Sequence, residues 1–184
     1  MNVLALDIAG RFSGACVGDV GGAKPRFATL EQSLDGSMAL GPAFHKFRRW
    51  MRDMIAVHGP IAHCAFEAPW MPMGNRSEDG KRSGMTSPRI PRLLLGMVAV
   101  AEELCEECGI PCSEAEVSSV RKFFIGTGRP AKPKSEVAHK CALLGWYIRN
   151  DHEGDAAALW AYTQSCLNPA YAANFVPLFA GATR

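Results

Sequence analysis

The sequence lacks any run approaching the roughly 18 uninterrupted apolar residues that a membrane-spanning helix needs, and this excludes such a span. It lacks a charged stretch followed by an apolar one at its start. Met1-Asn2-Val3 leads straight into an apolar segment that carries an acid at Asp7, so no secretory leader is expected and the chain is expected to be soluble and cytoplasmic. A charge of one sign is also missing: 20 Lys and Arg stand against 18 Asp and Glu, a formal net charge of +2, so any nucleic-acid partner must be held by a local patch. There is no internal repeat and no low-complexity linker. A length of 184 residues, 48% hydrophobic and 21% charged, fits one globular domain spanning 1–184.

The cysteine count is odd. Seven cysteines are scattered at 16, 64, 105, 108, 112, 141 and 166, which predicts reduced thiols rather than a disulfide framework. Cys105-x-x-Cys108 with Cys112 has part of a zinc pattern, but no His and no second Cys pair follows at finger spacing. The segment reads instead as a helix end with buried or half-buried thiols.

Apolar runs between turns set out the elements. Val3 to Ile8 predicts a buried strand ending at Asp7, Gly14 to Val20 a second strand closed by Gly21-Gly22, and Phe27 to Ser33 a third. Two hairpin-like links in so short a stretch predict antiparallel pairing. From Met38 to His58, Phe44, Phe47, Met51, Met54 and Ile55 recur at helical spacing between basic residues, which predicts an amphipathic helix closed by Gly59-Pro60. Ile61 to Phe66 predicts a strand that ends on Glu67, and the polar stretch from Pro69 to Pro91 predicts a long functional loop. Beyond it come an apolar helix from Leu93 to Cys108, a short strand near 113–117 and a helical turn at 120–125. A loop at 126–130 and helices over 135–144 and 155–167 complete the order. Strands first, then helices alternating with further strands, predict an α/β fold with a mixed sheet flanked by helices.

A buried strand seldom carries an unpaired carboxylate, because desolvating one costs several kcal/mol. Here two strands do so at their ends, at Asp7 and Glu67. A third acid, Asp155, opens an Ala-rich helix, and His152 shares its face if the helix begins that early. Acids from distant parts of a chain converge around something cationic, and an oxygen-rich cluster with an open edge suits Mg²⁺ or Mn²⁺. Two such ions about 3.5–4 Å apart suit phosphodiester cleavage. Plainer roles stand beside this one. Asp7 can cap a helix or face solvent, and Asp151 is well placed as an N-cap. Asn150-Asp151-His152-Glu153 has the Asn-x-x-Glu form of a capping box, which accounts for Glu153 without chemistry.

Four blocks in order carry a resemblance. Val3-Leu4-Ala5-Leu6-Asp7 with the following turn, Cys64-Ala65-Phe66-Glu67-Ala68-Pro69-Trp70, the basic segment from Val120 to Arg129 followed by Lys134-Ser135-Glu136-Val137, and His152-Glu153-Gly154-Asp155-Ala156 together resemble the RuvC-like Holliday junction resolvases of the RNase H-like nuclease superfamily. The likeness spans positions 3 to about 165 and suggests a phage-type relative. It departs in having Ile8-Ala9 where the family commonly has Pro-Gly, and in the length of the loop from Met71 to Pro91. It implies a mixed five-stranded sheet with three antiparallel N-terminal strands and then parallel ones. It implies a structure-selective endonuclease that cuts Holliday junctions or related branched DNA, with Asp7, Glu67, His152 and Asp155 as ligands of two Mg²⁺ or Mn²⁺ ions. Asp7 is the implied bridging ligand, and His152 either binds an ion as neutral imidazole or orients the water. A flat activity profile from about pH 5.5 to 8 would argue against imidazole ligation, since protonation near 6.5 competes with metal.

Basic groups must accompany those acids. Arg121, Lys122, Arg129, Lys132 and Lys134 lie between Val117 and Ser135 with no acid among them, and Arg76, Lys81, Arg82, Arg89 and Arg92 come from the loop and its end. Gly126 and Gly128 would let backbone amides approach phosphates. Trp70 would stack on an unpaired base or serve as a lid on the core. Two symmetric nicks call for a homodimer, and the apolar helix from Leu93 to Ala101 offers a face for one unless it is wholly core. The rival functions are a catalytically inert junction-binding protein, an actin-like or sugar-kinase-like ATPase, for which 184 residues are few, and an RNase H-like nuclease on another substrate such as an RNA–DNA hybrid.

Overall fold

Side chains alternate across the first strand, and that alternation divides the interior into two cores. The computed structural model describes residues 1–32, 39–69 and 89–175. In it β1 (Asn2–Asp7) sends Leu4 and Leu6 to one face of the sheet and Val3 and Ala5 to the other, the face that Asp7 shares by the two-residue period. Strand β2 (Phe12–Asp19) pairs antiparallel with β1, and β3 (Arg26–Glu31) pairs antiparallel with β2. On the other side of β1, β4 (Ile61–Glu67) runs parallel to it and β5 (Cys112–Ala115) parallel to β4, giving the order β3-β2-β1-β4-β5. This is the mixed α/β sheet expected. β1 is apolar along its length because it is central and covered on both faces.

Two helices cover the first face: α1 (Gly41–His58) and α2 (Arg89–Glu107) pack Phe47, Met51, Leu93 and Met97 against Leu4, Leu6 and Phe66. Helix α2 starts four residues before the expected Leu93. Pro91 falls in its first turn, where a missing N–H costs no hydrogen bond. On the second face lie α3 (Val117–Ile125), α4 (Pro133–Leu143) and α5 (Asp151–Leu167). The sheet there presents small residues, Ala5, Gly14, Cys16, Gly18 and Ala65, to a helix built of Ala156, Ala157, Ala158 and Ala161. Helix and sheet therefore approach closely. Trp160 anchors the layer, edge-on to Trp146 and to Phe175 of a closing 3-10 helix (Pro169–Phe175) at centroid distances of 5.8 and 5.6 Å.

Two local differences from expectation have clear causes. The helical turn expected at 120–125 is a nine-residue helix, ended where Gly126 adopts φ 84° and donates its N–H to the Lys122 carbonyl at 3.1 Å. Helix α5 begins at Asp151 rather than Asp155, since the Asn150 side chain accepts the Glu153 N–H at 3.0 Å and caps it. Asp151 is thus the first helical residue and not the cap, and Asp155 sits in the second turn.

All seven cysteines are free. Cys105 is buried and shares thiol hydrogen bonds with Cys64 and Cys112, while Cys108 is exposed. Among the described residues no group of three or more cysteines, histidines or acids stands together as a metal site. Among the same residues no helix is long and apolar enough to cross a membrane.

Candidate active site

The site is assembled by register. Asp7 is the last residue of β1 and Glu67 the last of β4, and the pairing Leu6 with Phe66, carried one residue further, sets the two acids side by side. Both point to the α5 face, because each lies two residues beyond an alanine of the second core. On its other side Asp7 pairs with Gly14 of β2. A Cβ on Gly14 would stand 2.1 Å from the His152 carbonyl oxygen, so only glycine lets the first turn of α5 settle onto the strand ends. There His152 Nδ1 meets Asp7 Oδ2 at 2.6 Å, and the ring lies 6.0 Å from that of Phe12 between centroids. Asp155, three residues on, lies on the same helical face.

These groups feel one another strongly. Burial first, then the charges of Asp7 and Asp155, push the Glu67 carboxyl up to about 8 against an ordinary 4.5, with Arg121 opposing. Burial and Asp7 likewise raise Asp155 from 3.8 to about 6, and Arg121, His152 and Lys134 offset part of the rise. His152 moves above its ordinary 6.5 because its hydrogen bond to Asp7 favours the imidazolium, although burial and Lys134 pull the other way.

The basic residues divide. Arg121 of α3 is half-buried, with its electrostatic reach on Glu67 and Asp155, and its buried Nε makes no hydrogen bond. Lys134, in the first turn of α4, lies 2.9 Å from Asp151 and acts on Asp155 and Asp7. These two join the acids. Lys122, Arg129 and Lys132 are exposed on α3, on the loop after it and at the start of α4. Gly126 is the helix cap. A Cβ at Gly128 would stand 2.8 Å from the Ser118 carbonyl oxygen, so that glycine serves a close backbone approach within the protein. Trp70, Arg76, Lys81 and Arg82 lie outside the described residues.

Three carboxylates and an imidazole are the donor chemistry of a hard divalent cation, and the raised pKa values of Glu67 and Asp155 reflect a cluster short of positive charge. As the side chains now point, no three His, Cys, Asp or Glu groups among the described residues stand close enough together to hold a metal. Asp7 instead gives an oxygen to His152. The donor set fits such an ion in chemistry, and side chains would have to rotate to gather it. Gly14 is the site residue that sequence reasoning missed: a glycine in a strand signals close backbone approach, but nothing local says to what.

No family model matches the sequence, and no curated protein matches it. Solved structures do. The chain has the RuvC-like fold, the mixed five-stranded α/β sheet of the RNase H type. Thermus thermophilus RuvC superimposes with a TM-score of 0.64 at 18% identity, covering 91% of this chain and 96% of that one. T. thermophilus RuvC in complex with a Holliday junction substrate gives 0.64 at 14% identity, with 91% and 95% covered. Fowlpox virus resolvase in complex with substrate Holliday junction DNA gives 0.52 at 10% identity, with 91% and 99% covered.

Proposed function

We propose that this protein is a divalent-metal-dependent endonuclease that resolves Holliday junctions or related branched DNA by paired phosphodiester hydrolysis, acting as a homodimer from one RNase H-like domain over 1–184. The observation that carries the reading is the placement of Asp7 and Glu67 at adjacent strand ends that face the opening turns of α5, where burial and the charges of Asp7 and Asp155 lift Glu67 to about 8. That the likenesses in fold include structures holding junction DNA supports the choice of substrate.

Mg²⁺ or Mn²⁺ held by Asp7, Glu67, Asp155 and His152 would supply positive charge to the scissile phosphate and acidify a water. The chain's own groups do the rest. Arg121 balances the carboxylates from α3, and Lys134 flanks them from α4, so a phosphate arriving at the acids meets cations on two sides. Without an ion, His152 holds a proton between its Nδ1 and Asp7, which fixes the ring's orientation beside the acids. Lys122, Arg129 and Lys132, exposed around α3 and α4, extend the positive surface for backbone contact.

Cleavage of a mobile four-way junction, compared with linear duplex and an RNA–DNA hybrid in Mg²⁺ or Mn²⁺, tests the reading. Paired nicks in the junction by the wild type, with cutting lost and binding kept in Asp7→Asn and Asp155→Asn, are expected. Equal cutting of the linear duplex would refute junction selectivity. A second reading, a catalytically inert junction-binding protein, is favoured by the absence of three donors within reach of one ion among the described residues. It requires Asp7→Asn to behave as the wild type does.

A further inference from the structure

An acid of this region left without chemistry, Glu153, is also the most deeply buried of those at the start of α5. Glu153 has 0% of its surface exposed, one residue from His152 and two from Asp155. Its carboxylate is fully engaged. Oε2 accepts the backbone N–H of Arg149 at 2.7 Å, and Oε1 accepts the Arg149 Nε at 2.9 Å and the Thr29 hydroxyl at 2.9 Å. Thr29 in turn accepts from Asn150 Nδ2 at 2.8 Å, and Asn150 Oδ1 caps the helix through the Glu153 N–H. Thr29 is thus the hinge pin of a closed ring of bonds joining β3 to the residues that start α5, across 124 positions of sequence. A capping box needs only its own helix, with the Glu turning back to the N-cap N–H. Here the Glu reaches past it to Arg149 and across to the sheet, and a buried carboxylate serves where solvent would have served a surface helix at no desolvation cost.

We propose that Glu153 and Thr29 are positioning residues: they pin the first turn of α5 to β3 so that His152 and Asp155 face Asp7. The proposal rests on the nuclease reading only for what the positioned groups go on to do. Two constraints then locate that turn. Gly14 sets how near it comes to β2, and the Thr29–Glu153 bond sets where along β3 it stops. Arg149, 68% exposed at its side chain, neutralises the buried acid without blocking the site.

Thr29→Val removes the hydroxyl and keeps shape and strand preference. Thr29→Ser restores it, and Arg149→Gln, at an exposed side chain, loosens the same ring by removing the charge partner of Glu153 while the Arg149 backbone N–H still donates to it. In metal-free protein below about pH 6.5, where imidazole is protonated, the His152 Nδ1 proton held by Asp7 is expected as a slowly exchanging downfield resonance. The resonance is lost and amide exchange over 151–155 quickens in Thr29→Val and Arg149→Gln, while exchange over 160–164 is unchanged. Thr29→Ser retains both. Junction cutting by Thr29→Val falls about ten-fold in kcat with KM unchanged, a loss confined to the chemical step. Folded Thr29→Val and Arg149→Gln that keep the resonance and the protection would overturn the proposal, as would a wild type without the resonance. Should Thr29→Val not fold, Arg149→Gln decides alone. If the wild type shows the resonance and the variants lose it but no form cuts branched DNA, the positioning stands and the nuclease reading falls.

Discussion

Replacing Glu67 by Gln should make the protein more stable, not less, at pH 8 in the absence of divalent cations. In the folded chain the carboxyl is held at about 8, whereas an unfolded chain ionises it near 4.5. The native state therefore binds more protons than the unfolded state between those values. Its extra proton affinity stabilises the fold fully below pH 4.5, and that stabilisation is lost as the pH rises through about 8. At about 1.36 kcal/mol per pKa unit, the displacement from 4.5 to about 8 sets a ceiling of about 5 kcal/mol. Water reaching the mouth of the site and relaxation of Arg121 reduce this to about 2–3 kcal/mol. Gln is isosteric with the protonated acid and carries none of the cost, so its melting temperature at pH 8 should exceed the wild type's by about 4–12 °C. The gap should narrow at pH 5 and vanish near pH 4. Thermal melts followed by circular dichroism in EDTA at pH 4, 5 and 8 read this directly. Saturating Mg²⁺ should raise the wild-type midpoint and leave that of Glu67→Gln in place. A Glu67→Gln variant that melts below the wild type at pH 8, or by the same margin at all three values, would refute the reasoning.

Three further outcomes follow from the same geometry. Gly14→Ala must push the His152 carbonyl from its 2.1 Å clash, and should cost about 1–3 kcal/mol in denaturant unfolding while abolishing junction cutting more completely than that loss explains. Asp7→Asn should bring the His152 pKa down from above 6.5 toward or below it, as followed by proton NMR of the ring; an unchanged titration would remove the hydrogen bond as the cause. Asn150→Ala should cost about 1 kcal/mol through the lost N-cap, seen as faster amide exchange confined to the first turn of α5.

The central strands were legible because each is a short apolar run between turn residues, and the antiparallel pairing of the first three followed from the two hairpin-like links. Asp7 and Glu67 stood out for the same reason, as charges placed where strands are otherwise greasy. The start of α5 was legible only as competing readings, since Asn150, Asp151 and Asp155 are all plausible openings and only the Glu153 N–H distinguishes the cap. What escaped sequence reasoning is long-range. The closeness of Gly14 to His152 depends on the depth at which an Ala-rich helix lies on the sheet. The inward turn of Arg121 depends on how α3 packs, and the Thr29–Glu153 bond joins two segments that share no local pattern. Arg121 and Lys122 are neighbours of one type in the sequence, yet one lies among the acids and the other in solvent.

Anomalous diffraction from crystals soaked in Mn²⁺ tests the account most directly. Manganese density bounded by the carboxylates of Asp7, Glu67 and Asp155, with the Asp7 oxygen rotated out of its contact with His152 Nδ1, is the predicted result. Crystals that bind manganese elsewhere, or not at all at millimolar concentration, with Asp7 still paired to His152, would contradict it.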